Sequence, residues 1–391
     1  MLPLDGITVV ACEQAVAAPF ATRQLADLGA RVIKVERPGV GDFARGYDSA
    51  VHGKLGSHFL WLNRSKESVT LDVKAAPEIL HGLLEHADVF LANLAPGALD
   101  RLGFGTEELL EKYPRLIVVN ISGYGTSGPY RDKRAYDLLV QCETALPSVT
   151  GQPDAPAKSG VPIADIATGM YAFTGVLTAL RQRDRTGRGT SIEVSMFDSL
   201  AEWMGYPLYN TMYSGREFPR LGLAHPSVVP YDAFPTADGD EVMIGVQNDR
   251  QWQKLAADVV GRPEMGEDER YATNIARTER RAEVDEAVRA ATSRLTAADL
   301  VERLEKAGIP NARLRTVQQL AEHPQLSERD RWRTIDSPAG PVNVVMPPMI
   351  FRDSEPRMDG VPDLGRNTDA VLAELGYDAD RIAALHESGT V

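Results

Sequence analysis

A chain of 391 residues is long for one compact domain, so two are expected. A composition 43% hydrophobic and 25% charged is ordinary for a soluble globular protein, and a formal net charge of −13 argues against a nucleic-acid or anionic-membrane surface. Two cysteines, Cys12 and Cys142, make neither a disulfide framework nor a metal cluster, and no signal peptide or membrane-length apolar run stands out, so the expectation is a cytoplasmic protein with no metal.

In chain order, residues 6–12 read as a buried strand, 19–28 as a helix closed by Gly29, and 31–36 as a second strand. Such a β-α-β unit implies a parallel sheet with a right-handed crossover. Glu36 lies where a ribose-binding acid sits in a dinucleotide fold, yet the turn at 13–19 has no glycine to let the backbone approach a pyrophosphate. Residues 69–72 are strand-like, 77–86 helical, and 88–92 and 116–121 are further strands. Polar or basic residues follow the strand ends: Arg37, Lys74, Asn93 and then Arg101. Ligands of open parallel sheets bind at those ends, and convergent cations suit a polyphosphate. The competing reading of each is a solvated surface charge. Gly123-Tyr124-Gly125-Thr126-Ser127-Gly128 fits G-x-G-x-x-G but runs into Pro129 instead of opening a helix, so it reads as a flexible loop bordering a cleft.

Residues 161–164 form a short extended apolar run leading to Asp165. Apolar residues then fall at Ile166, Met170, Phe173, Leu177 and Leu180, one buried helix face, with Arg181, Arg183 and Arg185 suiting its negative end and Gly187 its stop. Asp165 is thus expected where a strand-like segment meets a helix, among the small residues Ala164, Ala167 and Gly169. Its ordinary reading is a helix cap; its other reading is a carboxylate with room for something to approach.

Beyond 180 a strand at 190–195 and a helix at 196–206 precede a polar passage, 209–220. A strand at 241–246 and helices at 250–260, 283–293 and 296–306 make a second, smaller α+β region, and a helix near 378–386 is expected to rejoin the first. The expected fold is therefore α/β. Residues 1–200 form a large Rossmann-like domain with a parallel sheet, completed by about 328–391, then come a linker at 201–224 and a small α+β domain at 225–327.

The chain resembles the class III CoA-transferases, of the formyl-CoA transferase and carnitine CoA-transferase type. The resemblance lies in Leu4-Asp5-Gly6-Ile7, residues 28–38, 63–74 and 96–103, Ser122 to Pro129, Ala135-Tyr136-Asp137 onward to Gln141, the Asp165 segment and Thr186-Gly187-Arg188-Gly189. These runs are collinear over nearly the whole chain. The resemblance implies that Asp165 is a nucleophile, and that Arg37, Leu71, Lys74, Asn93, Leu94 and Arg101 hold the adenine and phosphates of CoA. It places Tyr136 near the pantetheine, and Gln14 and Val16 in a loop near the acyl group. It also implies an interlocked homodimer, acyl-CoA and a small carboxylic acid as substrates, and no tightly bound cofactor.

Three rivals stand beside this reading. An α-methylacyl-CoA racemase of the same superfamily needs a histidine where Ala135 stands, and alanine accepts no proton. A NAD-dependent oxidoreductase is opposed by the glycine-free first turn, and a non-catalytic CoA-binding protein would bind without exchange. The glycine-rich loop of formyl-CoA transferases is replaced by residues 225–231, so a larger acyl group or dicarboxylate is expected in place of formate or oxalate. There His225 is either a carboxylate ligand or part of a structural turn.

Overall fold

Strands buried on both faces read as continuous apolar runs, and such runs build parallel sheets. In the computed structural model, which describes residues 1–391, six strands form one sheet: β1 (Thr8–Cys12), β2 (Arg31–Glu36), β3 (Glu67–Thr70), β4 (Val89–Ala92), β5 (Ile117–Ser122) and β6 (Ser191–Ser195). The spatial order is β3-β2-β1-β4-β5-β6, every pair parallel, with Val9 of β1 opposite Val32 on one side and Val89 on the other. This is the doubly wound Rossmann order, and its direction reverses between β1 and β4.

The helices of this part are α1 (Ala17–Asp27), α2 (Pro77–Glu85), α3 (Asp137–Glu143), α4 (Ile163–Thr186), α5 (Met196–Trp203) and α6 (Gly205–Ser214). α1 and α4 cover one face of the sheet, where Ala21, Leu25, Phe173 and Val176 pack on Val9, Leu91 and Val119. α4 has the length and apolar composition of a membrane span, but its inner face is part of this core. It ends at Gly187, whose φ of 74° lets its N–H bond back to the Arg183 carbonyl at 2.8 Å.

The second compact unit comprises Pro147–Lys158 and Ser214–Arg329. Its antiparallel sheet, in the order β9-β8-β7, joins β7 (Tyr231–Pro235), β8 (Glu241–Gly245) and β9 (Asn311–Arg313). The helices α7 (Asp249–Lys254), α8 (Arg281–Thr292) and α9 (Ala297–Ala307) pack on it around Phe234, Ile244, Trp252 and Leu300. α7 passes into a single π-helical stretch, Leu255–Val260, so the helix expected at 250–260 changes its winding halfway.

Asp330–Val391 belongs to the first unit and supplies a ribbon, β10 (Trp332–Ile335) with β11 (Val342–Val345), then α10 (Thr368–Glu374) and α11 (Ala379–Glu387). Val371, Leu372 and Ile382 cover the other sheet face with α2, packing among Val10, Ile33, Leu80 and Phe90.

Three expectations are corrected. Residues 161–164 are not strand-like: α4 begins at Ile163, so Asp165 lies inside its first turn. The linker expected at 201–224 is helical through Ser214, and the first unit runs on to Tyr213. Residues 147–158 join the second unit. There the Arg220 guanidinium donates to the carbonyls of Gln152, Pro153 and Ser148 at 2.6, 2.9 and 3.2 Å, a long-range tie no local pattern announces.

Candidate active site

At the carboxyl ends of β1 to β4, where the strand order reverses, a cavity of about 460 Å³ opens. Five of the expected residues line it: Gln14 after β1, Arg37 after β2, Leu71 and Lys74 after β3, and Leu94 after β4. The Arg37 and Lys74 side chains are exposed and form no ion pair, so their charge is available to a ligand. Glu36 also lines the cavity, but it is committed elsewhere. Burial opposes its charge, yet Arg45 at 2.8 and 2.9 Å and Ser68 at 2.6 Å hold its carboxyl down at about 2. A ribose-binding role for Glu36 is thereby removed. The Cys12 thiol is pushed up to about 12 by burial and by Glu13, so it stays protonated and inert.

Two expected residues stand differently. Asn93 spends its amide on the chain: it accepts from the Gln14 N–H at 2.9 Å and donates to the Gln14 carbonyl at 2.8 Å. Arg101 is exposed, donates to the Pro96 carbonyl of its own loop at 3.4 Å, and leaves the cavity wall to Leu102.

The loop clamped by Asn93 carries strain. Ala15 adopts a φ of 62°, a left-handed conformation costly for a residue with a β-carbon, and its N–H donates to Asp42 Oδ1 at 3.1 Å. Beneath it lies a fully buried quartet of charges. Lys34 Nζ meets Asp42 at 2.8 Å and Glu13 at 3.3 Å, and Lys66 Nζ meets Glu13 at 2.7 Å. Two carboxylates face two ammonium groups, so the quartet is neutral. Burial opposes the Glu13 charge, but Lys66 and Lys34 hold its carboxyl below the ordinary range. Thr22, Asn63 and the Pro19 carbonyl complete the hydrogen bonds such desolvated ions require. Val16 follows, buried, at the N-cap of α1.

The quartet, bonded to Thr22 and to the Pro19 carbonyl of α1, holds the start of that helix, which lies against Asp165. The Ala17 N–H, first of that helix, faces the Asp165 carboxylate. Gly169, one turn along α4, makes the approach possible, since a β-carbon there would lie 2.7 Å from the Ala17 carbonyl oxygen. Burial, and then the nearby Asp137 carboxylate, raise the Asp165 carboxyl from 3.8 to about 7, against the Ala17 N–H, which lowers it. Asp165 accepts no hydrogen bond from its own helix. The donors it would use, the N–H groups of Ala164 and Asp165, are taken by Asp137 Oδ1 at 2.8 and 3.3 Å. The side chain is thus half-buried, weakly solvated and without the cap role that the sequence offers it.

Tyr47 stands near it, and Tyr136 adjoins Tyr47. Tyr136, exposed, immediately precedes α3, and Tyr47, in the stretch after β2, lies close enough to Asp165 and Tyr136 to feel both. Burial, then Asp42, Asp165 and Tyr136, push the Tyr47 phenol up to about 12, so it remains a hydrogen-bond donor. Tyr47, Asp137 and the quartet were not singled out in the sequence. Lys34 alone left a local trace, as a charge inside an apolar strand run.

The 123–128 loop is pinned, not free: Thr126 donates through N and Oγ1 to Glu193 of β6 at 2.5 and 2.7 Å. In the second unit His225 Nδ1 accepts from the Ser227 N–H at 3.2 Å, and its ring stacks on Tyr231 at 5.4 Å. Burial and Arg281 lower its pKa, so the ring is a neutral turn element with its proton on Nε2.

A family model described as CoA-transferase family III matches residues 4–368. An acetyl-CoA:oxalate CoA-transferase of Acetobacter aceti is 37% identical over 332 residues, covering 84% of this chain and 85% of its own. A succinate–glutarate CoA-transferase of Agrobacterium fabrum is 35% identical over 385 residues, covering 95% and 96%. A CaiB/BaiF family protein from Brucella suis has a crystal structure that superimposes with a TM-score of 0.84 at 35% identity, covering 96% of this chain and 99% of that one.

Proposed function

The chain belongs to CoA-transferase family III, and from that premise we propose that it moves CoA from an acyl-CoA thioester to a small carboxylic acid with Asp165 as nucleophile. The observation that carries this reading is a half-buried carboxylate, lifted to about 7 and faced by the first N–H of α1, the helix that follows the loop whose Glu13 and Gln14 wall the cavity.

An Asp165 oxygen attacks the thioester carbonyl, the C–S bond breaks, and CoA leaves as thiolate from a mixed acyl-aspartyl anhydride. The thiolate then attacks the aspartyl carbonyl carbon, releasing the donor acid and leaving an aspartyl-CoA thioester. The acceptor carboxylate attacks that thioester, a second anhydride forms, and the thiolate takes the new acyl group. Asp165 returns as carboxylate, with no net proton or electron transferred. Weak solvation keeps the attacking oxygen reactive, and the Ala17 N–H and Tyr47 hydroxyl are donors for charge that develops on the carbonyl oxygen.

CoA is placed in the cavity at the carboxyl ends of β1 to β4, its phosphates on Arg37 and Lys74 and its adenine against Leu71 and Leu94. The acceptor is a small dicarboxylic acid, the chemistry in the names of the oxalate and glutarate relatives. A second copy of the chain is the partner. Every residue of α6 is outside the core, and Leu208, Tyr209, Met212 and Tyr213 are between 45% and 84% exposed, an apolar surface fitted to burial in a homodimer. A racemase reading is disfavoured by Ala135, whose methyl packs on Gly123 and offers no base.

The test is to mix the protein with acyl-CoA donors, trap with hydroxylamine and read the Asp165 peptide by mass spectrometry. The peptide should carry a hydroxamate, and Asp165→Asn should abolish exchange while retaining CoA binding. Exchange by Asp165→Asn at close to the parental rate would sink the assignment.

A further inference from the structure

The first turn of α4 has an unusual cap. Helices leave their first N–H groups without intrahelical partners, and the residue just before the helix commonly accepts one through its side chain. Here that residue is Pro162, which has no acceptor, and no side chain of the flanking segment caps the helix. The acceptor comes from elsewhere. Asp137, first residue of α3, accepts from the N–H groups of Ala164 and Asp165 through one oxygen at 2.8 and 3.3 Å. Its other oxygen accepts from Gln141 Nε2 at 2.6 Å, and Gln141 Oε1 in turn accepts from the Ser159 N–H at 2.9 Å. One aspartate and one glutamine thus tie the chain on both sides of Pro162.

The consequence concerns Asp165 itself. An aspartate in a first helical turn normally turns back to the free N–H groups and is stabilised there by hydrogen bonds and the helix dipole. A carboxylate so held is a poor nucleophile, because those contacts stabilise its charge before the reaction begins. With Asp137 occupying the donors, Asp165 has nothing on its own helix to bind and is left facing the Ala17 N–H across the α1–α4 contact.

We propose that Asp137 is a positioning residue for the acyl-transfer reaction: by capping α4 in place of Pro162, it denies Asp165 its own helix terminus and keeps that carboxylate turned outward to react. The proposal rests on Asp165 being the nucleophile. It also gives Asp137 an electrostatic signature. The groups facing Asp165 are Asp137 from α3, Tyr47 from the stretch after β2, and the Ala17 N–H from α1, with Tyr136 adjoining Tyr47. Asp137 is the anion among them, and it raises the Asp165 carboxyl.

Two substitutions separate the effects. Asp137→Asn keeps the oxygen that caps α4, and asparagine caps helices as well as aspartate does, but the charge and the bond from Gln141 Nε2 are gone. The acid limb of kcat/KM for acyl-CoA should move down by about one pH unit, with kcat within about tenfold of the parent. Asp137→Ala removes acceptor and charge, Asp165 can fold back onto the vacated N–H groups, and kcat should fall by about 10²-fold with KM for acyl-CoA unchanged. A merely structural aspartate would move neither the acid limb in the folded asparagine variant nor kcat alone in the alanine variant.

An unmoved acid limb in Asp137→Asn, or exchange by Asp137→Ala at the parental rate, overturns the proposal. If the alanine variant fails to fold, Asp137→Leu, which keeps the volume and removes the capping acceptor, replaces it with the same expected fall in kcat, and a parental kcat there overturns the proposal. Hydroxylamine trapping on the unsubstituted protein is run alongside: no Asp165 adduct there overturns the nucleophile reading and this inference with it. An adduct with an unmoved limb overturns this inference only.

Discussion

Gly169 lies so close to Ala17 that a β-carbon on the glycine would sit 2.7 Å from the alanine's carbonyl oxygen and 2.9 Å from Cδ1 of Phe20. Neither neighbour is the loose end of a flexible chain, so the two helices would have to separate. Gly169→Ala should therefore cost about 1–3 kcal/mol despite alanine's better helix propensity. Exchange should suffer beyond that loss, because the Ala17 N–H is drawn away from Asp165. Gly175→Ala is the control: its β-carbon would meet only Ile192 side-chain atoms at 3.4 Å. Denaturant unfolding and kcat on the two variants check this, and equal behaviour would remove the packing argument.

Asp165 is held at a cost to stability, and the sign of its pH dependence follows. The folded carboxyl keeps its proton to about 7, whereas an ordinary one releases it at 3.8. Between those values the folded state binds more protons than the unfolded one, so stability falls as pH rises. Asp165→Asn should match the parent near pH 3.5 and exceed it increasingly up to pH 7, by at most about 4 kcal/mol before solvent screening reduces it. Activity runs the other way, with the acid limb of kcat/KM close to pH 7. Urea titrations across pH check the first part, and a gap that does not widen with pH would contradict it.

Arg37 and Lys74 are exposed, unpaired and at the mouth of one cavity. Replacing either by alanine should raise KM for acyl-CoA about tenfold, one charge-assisted contact, and leave kcat near the parental value. Raising the ionic strength should shrink the difference, since both charges are open to screening. Unchanged KM in both variants would place the CoA phosphates somewhere else.

Lys34 has no exposed side-chain surface and touches both Glu13 and Asp42. Lys34→Met keeps much of the volume but leaves two buried carboxylates facing one lysine, and should cost about 3–5 kcal/mol. Lys34→Arg should not restore it, because the planar guanidinium does not fit a site shaped for a compact ammonium. Chemical denaturation measures both. A loss under about 1 kcal/mol would mean that water reaches the quartet.

The sheet was legible because most of its strands are short runs rich in valine and isoleucine, a pattern that depends on neighbours alone. β2 was read at its observed limits for that reason. Part of the cavity wall was legible too, since Arg37 and Lys74 each follow a strand end, while Leu71 came only with the family resemblance. Less legible was anything set by partners far along the chain. Pro162 hides the start of α4 because its cap, Asp137, comes from another helix. Nothing local in the sequence shows that the Asn93 amide bonds both the N–H and the carbonyl of Gln14. The Asp165 side chain looked like a cap for the same reason: only the fold shows that its donors are taken.

The return of the chain after residue 330 has its own consequence. Gly389 lines the cavity, the Thr390 carbonyl accepts from the Asp72 N–H at 2.7 Å, and Leu372 and Ile382 seal the sheet face under β2 and β4. During synthesis, β1 to β4 emerge first and must wait, with one apolar face covered only in part by α2, while the entire second unit is made. Contacts so distant along the chain are slow to form, and the uncovered part is where a nascent chain is vulnerable to aggregation. A ribosome that stalls between residues 186 and 389 therefore leaves a chain that carries Asp165 and lacks the wall that Gly389 gives the cavity.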